Sequence, residues 1–483
     1  MKGSITIFLS LCLSVCFLFI GTALESARCV MLENQLQSGT EAALDSLLSR
    51  YDGDLFDEFG ILLLNQKDLP GFYSLDELVM EALEYQLDIG TGRFLMQGNF
   101  LLEAAKEVRV IEVVSVTARD GDLFCRSILE SMKYQIPAEL AQEVLEQLQL
   151  MKDGERAGEE NQEDQKQGEK QALEELDKEW NEELNNTYEE VLEESILNEV
   201  EEARKKGVLA FVLPPGYPLS GKQDNMGSFP STDTTVDEGT FEGILSDPLN
   251  NLMVCEYALM HFDDVMDPGR NPVLQYELEY IICGQESDRK NLEGTLNQLL
   301  LLREGMNVLT ICRSEWLTAQ AEAAAGVLAG WTGLPPLVEA AKAAVIAAWA
   351  YGESITDIRT LIGGNPVPLY KQEKEWCLSL DGLPSLIRGE WTGAGCYEEG
   401  LSYQEYLRLF LFLTGEEEKM YRMMDMIQCR MRSYKPEFRM KDCVYSITVE
   451  VETEANQIFP VLYGGQMRTG GSYRLQSSAS ARY

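Results

Sequence analysis

Residues 5–24 read Ile5-Thr6-Ile7-Phe8-Leu9-Ser10-Leu11-Cys12-Leu13-Ser14-Val15-Cys16-Phe17-Leu18-Phe19-Ile20-Gly21-Thr22-Ala23-Leu24, a run without a single charge. Its length is what a helix needs to cross a hydrocarbon core. A backbone in lipid must close its own hydrogen bonds, so the segment is expected to be a helix. Lys2 precedes it, and Glu25 and Arg28 follow. That asymmetry is slight, but a long trailing domain translocates largely regardless, which places the residues after about 25 outside. A cleaved signal peptide is the alternative. Its apolar run is usually shorter, roughly 7 to 15 residues, although Gly21 and Ala23 would make an acceptable cleavage site.

The helical pattern does not stop at Leu24. Ala27, Val30, Met31, Gln35, Leu36, Ala42, Ala43, Leu44, Leu47 and Leu48 continue it, with no turn signal before Gly39. Gly39 alone costs about 1 kcal/mol in a helix, and Gly53 is the more convincing stop. One helix over residues 1–53 is therefore expected to begin in the membrane and emerge amphipathic, as a signal peptide does not. Within the membrane, Ser10, Ser14, Gly21 and Ala23 are small residues against which another helix could pack closely.

The run Lys2-Gly3-Ser4-Ile5-Thr6-Ile7-Phe8-Leu9-Ser10, then Glu25-Ser26-Ala27-Arg28 and Asn34-Gln35-Leu36-Gln37, resembles the N-terminus of the TadE/TadG group of minor pilins. The chain as a whole is similar to a family of unknown function encoded beside Tad/Flp pilus genes in Gram-positive bacteria. That likeness rests on residues 274–281 (LQYELEYI), 328–339 (LAGWTGLPPLVE) and 401–409 (LSYQEYLRL). It implies an envelope location and a structural or assembly role, with pilin or pilus-platform proteins as partners, and no established activity. It also marks Gly3 and Ser4 as a possible prepilin-type processing site. One departure stands out. Prepilins carry a Glu five residues into the mature chain, and here that place is held by Phe8.

Further along, residues 54–151 mix signals. Val108, Val110, Glu112, Val114 and Val116 alternate with Arg109, Ile111, Val113 and Ser115, which reads as a largely buried strand. Leu140, Val144, Leu145 and Leu148 have helical spacing, so a small α+β unit is expected. Residues 152–206 hold 20 acids against 8 bases. Their first part, 154–168, reads as a flexible linker. Leu173, Leu176, Trp180, Leu184, Tyr188, Val191, Ile196 and Val200 then fit an amphipathic helix over 172–206 with an acidic outer face. Residues 207–246, rich in Pro, Gly and Ser, connect to a C-terminal α+β domain over 247–463. There Asn250–Phe262, Asp288–Leu309, Thr318–Ala329, Leu337–Tyr351, Tyr403–Leu413 and Glu416–Arg432 read as helices, and Leu274–Cys283 and Val444–Val451 as strands. The Ala-rich pair around Pro335-Pro336 has an uncharged run of about 10 residues, too short to span a membrane, and is expected as a buried hairpin. Residues 464–483 read as a flexible tail.

The formal net charge of -40 would repel nucleic acid and anionic lipid alike, so the main body is not expected to bind either. Eleven scattered cysteines without a CxxC pair do not make a dense disulfide framework; isolated bridges stay open. A Ser-His-Asp or Cys-His mechanism would have to use His261, the single histidine. Asp263, Asp264 and Asp267 could join it in a metal cluster, but Asp267-Pro268-Gly269 reads as an ordinary turn. Asp52, Asp54 and Asp57 resemble the start of a calcium loop that lacks its sixth-position Gly and closing Glu. No P-loop, GxGxxG, GxSxG or HExxH occurs. No catalytic, cofactor-binding or metal-binding residue is singled out, and no cofactor is expected.

The expectation is an α+β, helix-rich protein with small sheets in each half. It would sit in the cell membrane as a single-pass protein through residues 5–24, with its bulk extracytoplasmic. Two other classes stay open. One is a surface binding module using the acidic helix 172–206 to capture a basic partner. The other is a surface hydrolase with convergent carboxylates in the second half.

Overall fold

The computed structural model describes residues 2–69, 74–87, 105–133, 142–152, 156, 196–214, 216–223, 229–232, 243–268, 273–333, 335–390, 395, 397–463, 466–468 and 470–483. The acidic linker and most of the expected helix 172–206 lie outside them. The chain is α+β and forms two units. The first comprises residues 1–127, 234–241 and 434–483, the second residues 128–233 and 242–433.

In the first unit a single helix, α1 (Lys2–Leu48), carries the N-terminal segment. It runs through Gly39, where a Cβ would come within 2.6 Å of Leu87 Cδ2, so the bare position lets a neighbouring helix close in. The stop comes before Gly53. Asp52 accepts a hydrogen bond from the Leu55 N–H and opens α2 (Gly53–Phe59), so Gly53 begins a helix instead of ending one. After β1 (Leu64–Asn65), α3 (Leu75–Gln86) starts on a Ser74–Glu77 capping box and packs on α1. β2 (Glu107–Ser115) follows.

The remaining strands come from the far end of the chain: β3 (Cys443–Asn456), the short hairpin β4 (Val461–Tyr463) and β5 (Gln466–Arg468), and β6 (Ser472–Arg482). β3 is central. It pairs antiparallel with β1, β2 and β6, in registers such as Val110↔Val449 and Ala479↔Val449. Its alternation is as expected, with Ile447, Val449, Val451 and Ala455 buried and the residues between them half-exposed. Those side chains meet Leu32, Leu36, Ala43, Leu44 and Leu47 from α1 in one core.

Three expectations change here. The sheet is not one small sheet in each half; its strands come from both ends of the chain, and the unit boundaries cut across the chain-order domains 54–151 and 247–463. β2 is mostly exposed, with Ile111 at 58% beside a bulge, because only one of its faces meets the core. The expected flexible tail is β6, paired with β3 over its whole length. Its inward residues are Leu475, Ser477 and Ala479, too small and polar to announce a strand, and that smallness brings α1 close.

The second unit, among its described residues, is helical with two isolated bridges. It contains the end of α4 (Asp122–Met132), a helical stretch at 142–152, α5 (Ile196–Lys206), α6 (Leu209–Val212), α7 (Pro248–His261), α8 (Glu277–Cys283), α9 (Asp288–Arg313), α10 (Glu315–Ala329), α11 (Pro335–Ile362), α12 (Leu383–Ile387), α13 (Tyr403–Leu413) and α14 (Glu416–Arg432). Ser287 caps α9 through the Lys290 N–H. The expected strand over 274–283 is instead the short helix α8, closed by left-handed Gly284. Residues 277–282 are all buried, so no exposed face breaks the run into a 3.6 period. The Ala-rich pair does form a hairpin, with α11 largely buried. α10 buries only Leu317, Ala321, Ala325 and Ala329, along one stripe.

Candidate functional site

α1 is long and apolar enough to cross a membrane, and among the described residues it alone is. Ile5, Ile7, Phe8, Leu9, Leu11, Leu13, Phe17, Phe19 and Ile20 are each more than half exposed, and no described residue covers them. Three hydroxyls in this stretch are satisfied by the helix itself. Ser10 donates to the Ile7 carbonyl, Ser14 to that of Ser10 and Thr22 to that of Leu18, which removes the penalty of a bare hydroxyl in lipid.

The small residues divide by face. At about 100° per residue, Ser14 and Gly21 lie within about 40° of Ser10, whereas Ala23 lies on the opposite side. The Ser10 face is continuous with Glu25, Arg28, Leu32, Leu36 and Ala43, which is the stripe that α1 buries against the sheet unit. Gly21 is itself buried, because Pro460 lies on it. A Cβ there would be 3.0 Å from the Pro460 carbonyl oxygen. Gly21 is therefore occupied by its own chain, while Ser10 and Ser14 stay exposed. Gly3 and Ser4 are in the first turns of α1.

Immediately beyond the apolar run lies a clasp that the sequence did not announce. Arg28 Nη2 donates to Glu25 Oε1 at 2.5 Å and to the Asn456 carbonyl at 2.6 Å. Glu25 Oε2 in turn accepts from the Phe459 N–H at 3.0 Å. Both side chains are buried. An i,i+3 acid–base pair is common on helices, and only the fold shows that this one grips a loop more than 400 residues away.

The candidate chemistry of the sequence resolves into structural contacts. His261 ends α7 with its ring 4.4 Å from that of Tyr257. Asp263 accepts from Arg430 Nη2 (2.7 Å). Asp264 Oδ1 caps the turn through the Met266 N–H (2.6 Å) and Asp267 N–H (3.2 Å), and its Oδ2 takes Gln404 Nε2 (2.8 Å). α8 supplies the floor, with Glu277 bound by Arg430 Nε (2.8 Å) and Glu279 Oε1 accepting from the Val265 N–H (3.1 Å) and the Tyr403 hydroxyl (2.9 Å). Burial, with the Asp264 charge adding to it, pushes the Glu279 carboxyl up to about 8. Among the described residues no group of three His, Cys, Asp or Glu could hold a metal ion. In the calcium-like stretch the cation is Lys435, whose Nζ sits 2.7 Å from Asp52, 2.9 Å from Asp54 and 2.7 Å from Asp68. No disulfide joins the described cysteines.

The second unit also buries four charges side by side. Arg303 Nε donates to Asp357 Oδ2 (2.9 Å), while its Nη1 serves the Pro368 and Leu369 carbonyls (2.9 and 2.8 Å). Lys371 Nζ bridges Asp357 Oδ1 and Glu353. Burial raises the Asp357 carboxyl, but the Lys371 ammonium and the Arg303 guanidinium outweigh it and hold it below its ordinary value. With two cations, two anions and no exposure, this is a scaffold element.

A family model matches residues 186–455, more than half of the chain, and the chain belongs to that family of unknown function, DUF5702. The match begins beyond α1. No curated protein and no solved structure matches.

Proposed function

We propose that this chain is a membrane-anchored, extracytoplasmic structural or assembly component, minor pilin-like, of a Tad/Flp-type pilus or secretion apparatus. One observation carries the reading. The 47-residue α1 passes without a break from an uncovered apolar segment into the core of a sheet unit. Such a helix ties the sheet unit rigidly to whatever surrounds residues 5–24, as a pilin-like stem would. A signal peptide cut after Ala23 would remove the Gly21 surface on which Pro460 rests, which is hard to reconcile with a merely transient segment. Neighbouring helices would approach along Ser10 and Ser14, where small side chains permit close contact.

The test is photocrosslinking from benzoylphenylalanine placed at Ser10 or Ser14 in native membranes. A product with a pilus subunit or platform protein is expected, and capture of lipid alone would remove the assembly role. Intact mass of the native chain decides the anchoring. A membrane-bound chain beginning at Met1 or Ser4 fits, whereas a soluble chain beginning near Leu24 overturns it.

A further inference from the structure

Residues 456–463 read Asn456-Gln457-Ile458-Phe459-Pro460-Val461-Leu462-Tyr463, eight residues without a charge in a chain of net charge -40. They run from the end of β3 through the turn 457–460 into β4, and the position of the turn along α1 is fixed by three contacts. Pro460 lies on Gly21, the Phe459 N–H donates to Glu25, and the Asn456 carbonyl accepts from Arg28. Gln457 holds the turn's shape, its N–H bonded to the Gly471 carbonyl and its Nε2 to that of Phe459. Gly21 is three residues inside the end of the apolar run, so Pro460 is level with a point about 5 Å below the last apolar residue of the helix. Ile458, between these contacts, is 48% exposed.

An isolated exposed isoleucine is ordinary on a protein surface. This one belongs to an uncharged turn held level with the last turn of the apolar run, beside a helix whose own apolar side chains are exposed; with residues 5–24 in a bilayer, that level would be the boundary between headgroups and acyl chains. The two charges of the clasp neutralise each other behind the turn, so the turn brings no net charge to that boundary. Interfacial elements typically sit about 5–10 Å into this boundary.

We propose that the turn at 456–463 is a second membrane contact, an apolar wedge that enters the lipid interface beside α1 and fixes the sheet unit against the bilayer. The occupant is lipid, because the turn is continuous with the lipid-facing surface of α1. The proposal rests on the membrane reading of α1, and the test separates the two.

The experiment uses the full chain in phosphatidylcholine–phosphatidylglycerol vesicles, with benzoylphenylalanine placed in turn at Ile458, at Leu9 in the apolar run, and at Leu62, an exposed site in the same unit. After illumination, lipid adducts are counted by mass. Adducts at Ile458 are expected within roughly a factor of three of those at Leu9 and about tenfold above those at Leu62. Labelling at Leu9 with Ile458 no better than Leu62 overturns the wedge and leaves the anchor standing. Capture of a second copy of the chain by Ile458, in place of lipid, overturns it in favour of a protein contact. Absence of lipid adducts at Leu9 overturns both readings. As a check on placement, Gly21→Leu would push Pro460 outward, and lipid labelling from Ile458 should then change while that from Leu9 does not.

Discussion

Asp357 is the residue on which the second unit's buried charges converge. It accepts from Arg303, Asn307 and Tyr397 and pairs with Lys371, all within 3.1 Å. Removing one member of such a set leaves charges buried without compensation, which costs about 3–5 kcal/mol. Asp357→Asn should therefore lower the stability of the unit by that order in urea titrations, and a loss below about 1 kcal/mol would show that the network contributes little. In the first unit Lys435 faces three carboxylates but is partly open to solvent, so its effect is smaller. Lys435→Met should cost about 1–3 kcal/mol, read by far-ultraviolet circular dichroism. Only fragments of these sites were legible in the sequence. Glu353 could be seen interrupting an apolar helix, but its partner lies 18 residues on and Arg303 lies 54 residues before Asp357. No local spacing encodes such pairs. The same holds for Asp52, which the sequence shows only as part of an incomplete calcium-like loop and whose partner Lys435 lies 383 residues on.

Among elements, legibility followed size and one-sidedness. α1 was readable because twenty uncharged residues admit few alternatives, and α13 and α14 have the bounds read from the sequence. β3 was readable from its valine and isoleucine alternation. α8 was not, since a seven-residue helix buried on all sides has no polar face to set a period. β6 alternates as strictly as β3, but with serine and alanine inside, and composition alone suggested a frayed end. The two views of this segment predict different behaviour. Truncation after Gly471 removes the whole of β6, uncovering one edge of β3 and the α1 side chains that meet it, including Gln37, which now accepts from the Ser477 hydroxyl. A frayed tail would be lost without consequence. The truncated chain should instead bind a hydrophobic dye and be cut by protease within residues 32–48 at least about tenfold faster than the full chain; unchanged proteolysis would return the segment to the status of a tail.

At the scale of the whole molecule, the first unit is drawn from both ends of the chain and the helical second unit from the sequence between them, a topology that chain-order reading cannot reach because β2 and β3 are more than 300 residues apart. The units can nonetheless be followed separately. None of the six tryptophans lies in the residues of the first unit, and the four described ones, at 316, 331, 349 and 376, fall in the second, so tryptophan fluorescence follows its unfolding. That unit buries Glu279, pushed up from 4.5 to about 8, and Asp425, pushed from 3.8 to about 6, both by burial first. A carboxyl whose folded value lies above its unfolded one contributes stability that is complete below the unfolded value and is lost as pH rises through the folded value. For these two groups the window runs from about pH 4 to about pH 8. Asp357 acts in the opposite sense, since its depressed value makes its contribution vanish in acid, below about pH 4. Tryptophan-detected melting should thus be highest near pH 5 and fall toward pH 9. Ionising Glu279 inside the fold costs on the order of 5 kcal/mol for a rise of that size, a substantial part of a typical domain's stability of about 5–15 kcal/mol. The growing negative charge of the whole chain also destabilises it at high pH, but that repulsion is shared by a Glu279→Gln variant. The variant keeps an oxygen for the Val265 N–H and the Tyr403 hydroxyl and cannot ionise. Its melting temperature should therefore fall less between pH 5 and pH 9 than that of the parent chain. Parallel pH profiles for the two proteins would mean that Glu279 is already charged in the fold, and the assignment of a buried neutral carboxyl would fall.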